Sequence, residues 1–437
     1  MDRHLKKFPF EFTLDVILEY RFNKKQIKDI QGHIECSENH YRISFSTSEA
    51  ATDTISLDAN KFIYGRFNKV FRIRECLFEG KSLMIDTGES YINHMYTHSQ
   101  NGNPNTERML EIDKFRIKRN CATINTDFKA KYYLSNSGDK LKDDFPFNLY
   151  SKDNIRDNQN YMYKGLPVVL GYNNESNAPY LELHGENENN LYELLCLLSF
   201  YYMRPIRYWM CERCVEKDIV YDFYSVYVSF TKQLKKFNEW NHFLMDIENA
   251  KPDALIKRHR INLINLLDFA STAFNDESSL KYKIVLKSIH SFVDILSDSE
   301  QSQLVFYVNI LSTLAEKLHN YRNSNSASNI KRLFKEVNIP FEGIDDELKK
   351  KNFYKTITAP NKCGECPVMI QKNKICTFVD LRNEFVHGLP SKEMLDYIHN
   401  SLLLPRLKMA VFKTLLHELG FRNLQLRIPN DPLNMQK

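Results

Sequence analysis

The chain of 437 residues is too long for one average domain and points to two or three. Its 43% hydrophobic and 26% charged residues are ordinary for a globular protein, and 60 basic against 55 acidic residues leave a charge of +5. That excess permits nucleic-acid binding without arguing for it. The greasiest run, Leu194 to Met203, is about half of what a bilayer span needs.

The N-terminus, Met1-Asp2-Arg3-His4-Leu5-Lys6-Lys7, has no apolar stretch after its basic residues. It therefore does not read as a secretory signal, and the expected location is the cytoplasm, with no membrane partner. From there to about residue 187 the segments are short, aromatic and alternating. Tyr41-Arg42-Ile43-Ser44-Phe45, Phe71-Arg72-Ile73-Arg74 and Lys131-Tyr132-Tyr133-Leu134 are separated by the turn-rich stretches 99–105 and 173–179. Period-2 segments between turn clusters predict a β-rich domain.

From Asn189 the periodicity becomes helical. Leu191, Leu194, Leu195 and Leu198 share one face before Pro205 interrupts. Further helices are predicted over 253–274, 280–296, 301–321, 377–387 and 391–419, the last followed by Gly420 in a C-cap position. The Asn/Ser-rich piece 323–329 reads as a loop. The expected fold class is α+β: a β-rich domain over 1–187, then an all-α helical bundle over 188–437.

On a helical wheel, Phe378, Val379, Leu381, Phe385 and Val386 gather on one arc, and Asp380, Asn383, Glu384 and His387 on the other. Arg382 falls inside the apolar arc. A guanidinium cannot shed its charge, so burial there demands a partner or an opening to water. A lone arginine in such an arc more often snorkels or meets a carboxylate, and a helix-terminal histidine often only complements the helix dipole. The two lie about 140° apart on an ideal helix. A joint site therefore needs a distorted helix end or a second copy of the helix across a two-fold axis.

Arg382-Asn383-Glu384-Phe385-Val386-His387 resembles the Arg-x4-6-His signature of the HEPN superfamily, with a polar residue directly after the arginine. With a β-rich front and a helical back, the chain is similar to the ApeA-like HEPN proteins of bacterial anti-phage abortive infection. The resemblance implies metal-independent RNA cleavage by a homodimer, with transfer RNA or another cellular RNA as substrate. It implies attack by the ribose 2′-OH on the adjacent phosphate, leaving a cyclic phosphate and a 5′-hydroxyl. Histidine titrates near cellular pH and can move that proton, and arginine offers a permanent charge to the phosphorane. Asn383 would orient the phosphate or the imidazole. The front domain would sense a phage-derived activator or hold the nuclease inactive until infection. The alternatives are a non-catalytic bundle that docks RNA or protein, and a zinc-stabilised nucleic-acid-binding scaffold.

Nine cysteines, an odd number, do not suggest a disulfide framework. Cys211-Glu212-Arg213-Cys214 and Cys363-Gly364-Glu365-Cys366 both have zinc-knuckle spacing. One structural zinc joining them would pin the segment entering the Arg382 helix against the start of the helical half. All-cysteine ligation leaves no open position, so no catalytic metal is expected. The competing reading is two pairs of reduced thiols. The basic runs 257–260, 349–351 and 372–374 read as solvated surface, with phosphate contact as the alternative.

Overall fold

The computed structural model describes residues 12–22, 24–36, 41–47, 65–88, 90–98, 106–120, 130–134, 159–173, 178–184, 188–201, 203, 205–215, 218–224, 263–322, 326–339, 342–351, 353–359, 369–387 and 390–422. The turn stretch 99–105, most of 173–179, the predicted helical residues 253–262, the basic cluster 257–260, Cys363, Cys366 and Gly388 lie outside them.

Two compact units form. The first is Met1–Glu188 with Ile206–Thr231, and the second is Asn189–Pro205 with Lys232–Lys437. The predicted boundary at 187/188 thus marks where the chain first leaves the β-rich unit, but residues 206–231 return to it.

In chain order the first unit holds β1 (Phe12–Phe22), β2 (Lys25–Cys36), β3 (Tyr41–Thr47), β4 (Gly65–Arg66), the short helix α1 (Phe67–Val70), β5 (Phe71–Phe78), β6 (Lys81–Ser82), β7 (Met84–Asp86), β8 (Tyr91–His98), β9 (Thr106–Ile112) and β10 (Lys114–Asn120). It continues with β11 (Ala130–Leu134), β12 (Gln159–Tyr163), β13 (Leu166–Asn173) and β14 (Ala178–Leu183). After α2 (Glu188–Tyr201) come β15 (Tyr208–Val215) and β16 (Asp218–Tyr224). They build two eight-stranded sheets, ordered β4-β8-β9-β3-β2-β1-β5-β6 and β12-β13-β14-β11-β15-β16-β10-β7. The three alternating segments read from the sequence all lie in strands, namely β3, β5 and β11.

Alternation explains the pairing. Phe12, Leu14, Val16, Leu18 and Tyr20 are buried along β1 while Thr13 and Asp15 face outward. Tyr41, Ile43 and Phe45 are likewise buried on β3. Both sheets contribute to one core: Phe115 of β10 and Phe223 of β16 stack at 4.6 Å, and Tyr41 packs edge-on against Phe115 at 5.1 Å. The Tyr41 hydroxyl donates to the Trp209 carbonyl at 2.9 Å, satisfying a polar group inside that core.

The second unit holds α3 (Leu263–Ala273), α4 (Leu280–Asp294), α5 (Glu300–Thr313), α6 (Ser326–Glu336), α7 (Glu342–Lys350), the strands β17 (Tyr354–Ala359) and β18 (Met369–Lys374), α8 (Phe378–His387), α9 (Lys392–Asn400) and α10 (Leu403–Leu419). Its centre is α10, buried on nearly every side from Leu403 to Leu419. Phe412 meets Phe200 at 4.7 Å and Phe292 at 6.3 Å. Gly420 adopts a left-handed conformation, φ +114°, and its N–H returns to the His417 carbonyl, the expected C-cap.

Four differences from the sequence reading bear on the site. The helix over 391–419 is two helices, because Pro405 has no N–H and is tolerated only in the first turn of α10. The helix over 301–321 becomes a π-turn at Leu314–Leu318. The predicted loop 323–329 is, from Ser326 on, the start of α6. The helical unit also carries an antiparallel hairpin, β17 with β18.

Candidate active site

The motif helix α8 is fastened at its N-terminus. The Thr377 hydroxyl accepts from the Asp380 N–H at 3.0 Å and donates to the Asp380 carboxylate at 2.8 Å. The buried Asp345 of α7 accepts from the Phe378 N–H at 3.1 Å, so a second free donor of the first turn is satisfied. Phe378, Val379 and Leu381 are buried, α8 packs on α5, and the Phe378 ring stacks on Phe334 at 6.4 Å.

Burial then declines along the helix. Arg382, Asn383, Glu384 and Phe385 are half-buried, and Val386 and His387 are exposed. The helix is anchored at one end and reaches the surface at the other. Arg382 Nη1 donates to Asn383 Oδ1 at 2.8 Å, so the asparagine engages the guanidinium rather than the imidazole. Arg382 Nε is buried with no hydrogen-bond partner. Burial lowers the pKa of this guanidinium, and the negative charge of Glu316 acts in the opposite sense.

Arg382 and Asn383 are therefore brought together, whereas His387 is not brought to them. The helix is regular from Phe378 to His387, so five residues carry His387 about 140° round and about 7.5 Å along from Arg382.

Of the four cysteines of the expected zinc site, Cys211 and Cys214 lie within the described residues. Cys211 lies in β15, opposite Asp222 and Tyr132, and the β15–β16 register runs without a shift through Cys214 opposite Ile219. A zinc knuckle carries its pair of cysteines on a tight turn, whereas Cys211 and Cys214 lie on one paired strand. The Cys211 thiol is buried, and burial pushes its pKa up to about 12. Cys363 and Cys366 fall in the 360–368 connection between β17 and β18, outside the described residues. Among the described residues no group of three or more histidines, cysteines or carboxylates is placed to hold a metal ion.

Sequence reasoning missed the polar cluster around Glu316, the carboxylate whose charge favours the Arg382 cation. Glu316 sits on the π-turn, and its carboxylate accepts from Ser326 Oγ at 2.9 Å and from Asn329 Nδ2 at 3.4 Å. Beyond it, His319 Nε2 meets the buried Glu418 at 2.8 Å and His319 Nδ1 lies 3.5 Å from Glu336. The Asn/Ser-rich composition that suggested a loop was the available signal. Those side chains are spent on Glu316 instead of on a turn. Among the described residues no helix is long and apolar enough to cross a membrane. Compared with known proteins, the chain matches no family model, no curated protein and no solved structure.

Proposed function

We propose that the chain is a metal-independent endoribonuclease of the HEPN type, acting as a homodimer in which each copy supplies Arg382, Asn383 and His387. The observation that carries this reading is the placement of the Arg382 guanidinium: half-buried, held by Asn383, and with no direct ion pair among the described residues. A cation kept in that condition suits a transient phosphorane charge better than a permanent structural bridge.

His387 takes the proton of the attacking 2′-OH or returns one to the leaving 5′-oxygen, for which its exposed position at the helix end gives access. Because Arg382 and His387 diverge on one helix, the two groups that act on one phosphate come from facing copies of α8. The exposed Val386 of α8 and Phe306 of α5, each 44% accessible, supply apolar surface for such an association. The RNA is a cellular one, transfer RNA by family resemblance. The β-rich unit answers a phage-derived activator in abortive infection, in the cytoplasm.

The divergence of Arg382 and His387 within one copy also favours a second reading, a bundle that binds RNA or protein without cutting. Incubation of the purified chain with total RNA in EDTA, beside Arg382→Ala and His387→Ala variants of confirmed fold, separates the two. Cleavage by the parent alone, with cyclic-phosphate ends, is the expected result. Equal cleavage by all three preparations refutes the site. No cleavage by the parent, with or without infected-cell extract, leaves the binding reading in place.

A further inference from the structure

The β-rich unit holds a cleft of about 410 Å³ where β7, an edge strand of the second sheet, lies against β5 of the first. Arg21 of β1, the end of α1, the start of β5 and the turn after β7 line it. A volume of this order takes a ligand of small-molecule size.

Three cations, Arg21, Lys69 and Arg72, line the cleft, and all are exposed. Lys69 and Arg72 have no ion pair among the described residues. Arg21 donates Nε to the buried Glu19 at 2.8 Å, one bond from a fork of five donors. The acids nearby are already engaged. Glu19 accepts from Arg21 and Gln26, and Asp86, the carboxylate of the lining, accepts from the Gly88 N–H at 2.8 Å. The balance of charge in the cleft therefore favours an anion.

Its walls are fastened before any ligand arrives. Asn68 Nδ2 donates to the Gly88 carbonyl at 2.7 Å, and the Phe67 N–H donates to the Ser90 carbonyl at 2.7 Å. These bonds tie the turn after β7 to α1, the element that carries Lys69. On the β5 side the ladder passes from Ile17 opposite Glu75 to Leu18 opposite Ile73, so Arg74 is an extra residue. Such bulges re-aim side chains and recur beside binding sites. Next to it Arg72 is exposed, while Ile73 and Ile85 are half-buried and give the cleft an apolar part.

A lysine point charge beside arginine forks suits phosphate. The two isoleucines suit a ring, and Asn68 and Thr87 supply polar groups for sugar hydroxyls. We propose that this cleft binds a ribonucleoside monophosphate, with its phosphate on Lys69, Arg72 and Arg21 and its nucleoside against Ile73 and Ile85. The cleft lies within the β-rich unit, so its occupancy is measurable whether or not the helical unit cleaves RNA.

The test is calorimetric titration of the full chain with AMP, GMP, CMP and UMP, and with adenosine and inorganic phosphate. Lys69→Gln and Arg72→Gln are compared with Lys81→Gln, an exposed lysine on β6 outside the lining, each checked for its melting temperature. At least one nucleotide is expected to bind one to one, more weakly as salt rises, and to be displaced by inorganic phosphate. Lys69→Gln and Arg72→Gln should each weaken it by about 10-fold and Lys81→Gln should not. Binding of none of the four nucleotides, or equal affinity in the parent and both cleft variants, overturns the site. Adenosine binding as tightly as AMP overturns the phosphate contact, and inorganic phosphate binding as tightly as every nucleotide overturns the nucleoside contact.

Discussion

Replacing His319 by glutamine is expected to cost the helical unit about 2–3 kcal/mol of stability at pH 5.5, for the following physical reason. Glu418 is almost fully buried on α10, and burial alone would raise its pKa. Hydrogen bonds from His319 at 2.8 Å and His417 at 3.5 Å, with Lys281 at 3.7 Å, reverse that and bring it down to about 2. A carboxyl displaced from 4.5 to about 2 has its charged form favoured by about 3 kcal/mol. His319 makes the shortest of these contacts, so most of that figure is lost with it and the remainder stays with His417 and Lys281. His319 is displaced upward, chiefly by its hydrogen bond to Glu418. Its contribution is therefore complete below the ordinary histidine value of 6.5 and disappears as pH rises through the raised value. The Glu418 contribution is present above 4.5 and lost as pH falls through about 2. The difference between parent and variant should thus be greatest between those two ordinary values and shrink on the alkaline side. Thermal unfolding followed by circular dichroism at pH 5.5, 7 and 9 reads it, with roughly 4–12 °C between the two proteins at the lowest of these. A gap that stays the same from pH 5.5 to 9, or no gap at all, refutes the reasoning.

Thr377→Ala removes the hydroxyl that caps the motif helix and should cost about 1 kcal/mol, read as a lower midpoint in urea with an unchanged slope. A midpoint equal to the parent's would mean that Asp345 alone fastens the helix start. Cys211→Ser should leave the zinc content of the purified protein, measured by mass spectrometry, the same as the parent's, because β15 runs straight through Cys211 and Cys214. Zinc lost on this one substitution would restore the four-cysteine site.

How well the sequence could be read followed how many faces of each element are buried. On β3, the buried Tyr41, Ile43 and Phe45 alternate with the polar Arg42 and Ser44, so the strand is visible. On β15, Trp209, Met210, Cys211 and Glu212 are buried in succession, and on β16 so are Val220, Tyr221, Asp222 and Phe223. Burial of both faces erases a period of two, and the buried acids disguise the strands further. Their charges are satisfied only in three dimensions: Tyr133 donates to Glu212 at 2.8 Å, and Arg116 and Arg213 both reach Asp222. The Cys-x-x-Cys spacing in β15 accordingly suggested a knuckle where a strand runs. The motif helix was legible because its N-terminal half has one buried side. Its surroundings were not, since Glu316, Ser326 and Asn329 come from other elements and form no spacing pattern with Arg382.

An arginine in the apolar arc of a helix has two ordinary resolutions, a carboxylate bridge or a route to water. Arg382 adopts neither in full. Its Nε stays buried without a partner, which costs about 1–3 kcal/mol in an interior that satisfies most such groups. Glu316, whose negative charge acts in favour of the Arg382 cation, is hydrogen-bonded to Ser326 and Asn329. By contrast, the buried Arg406 on α10 takes the direct route and pairs with Glu347 at 3.0 Å. The fold can thus build an arginine bridge where stability is the requirement. That it withholds one from Arg382, on the one helix that carries the Arg-x4-His spacing, is the pattern expected where a local rule yields to a functional demand.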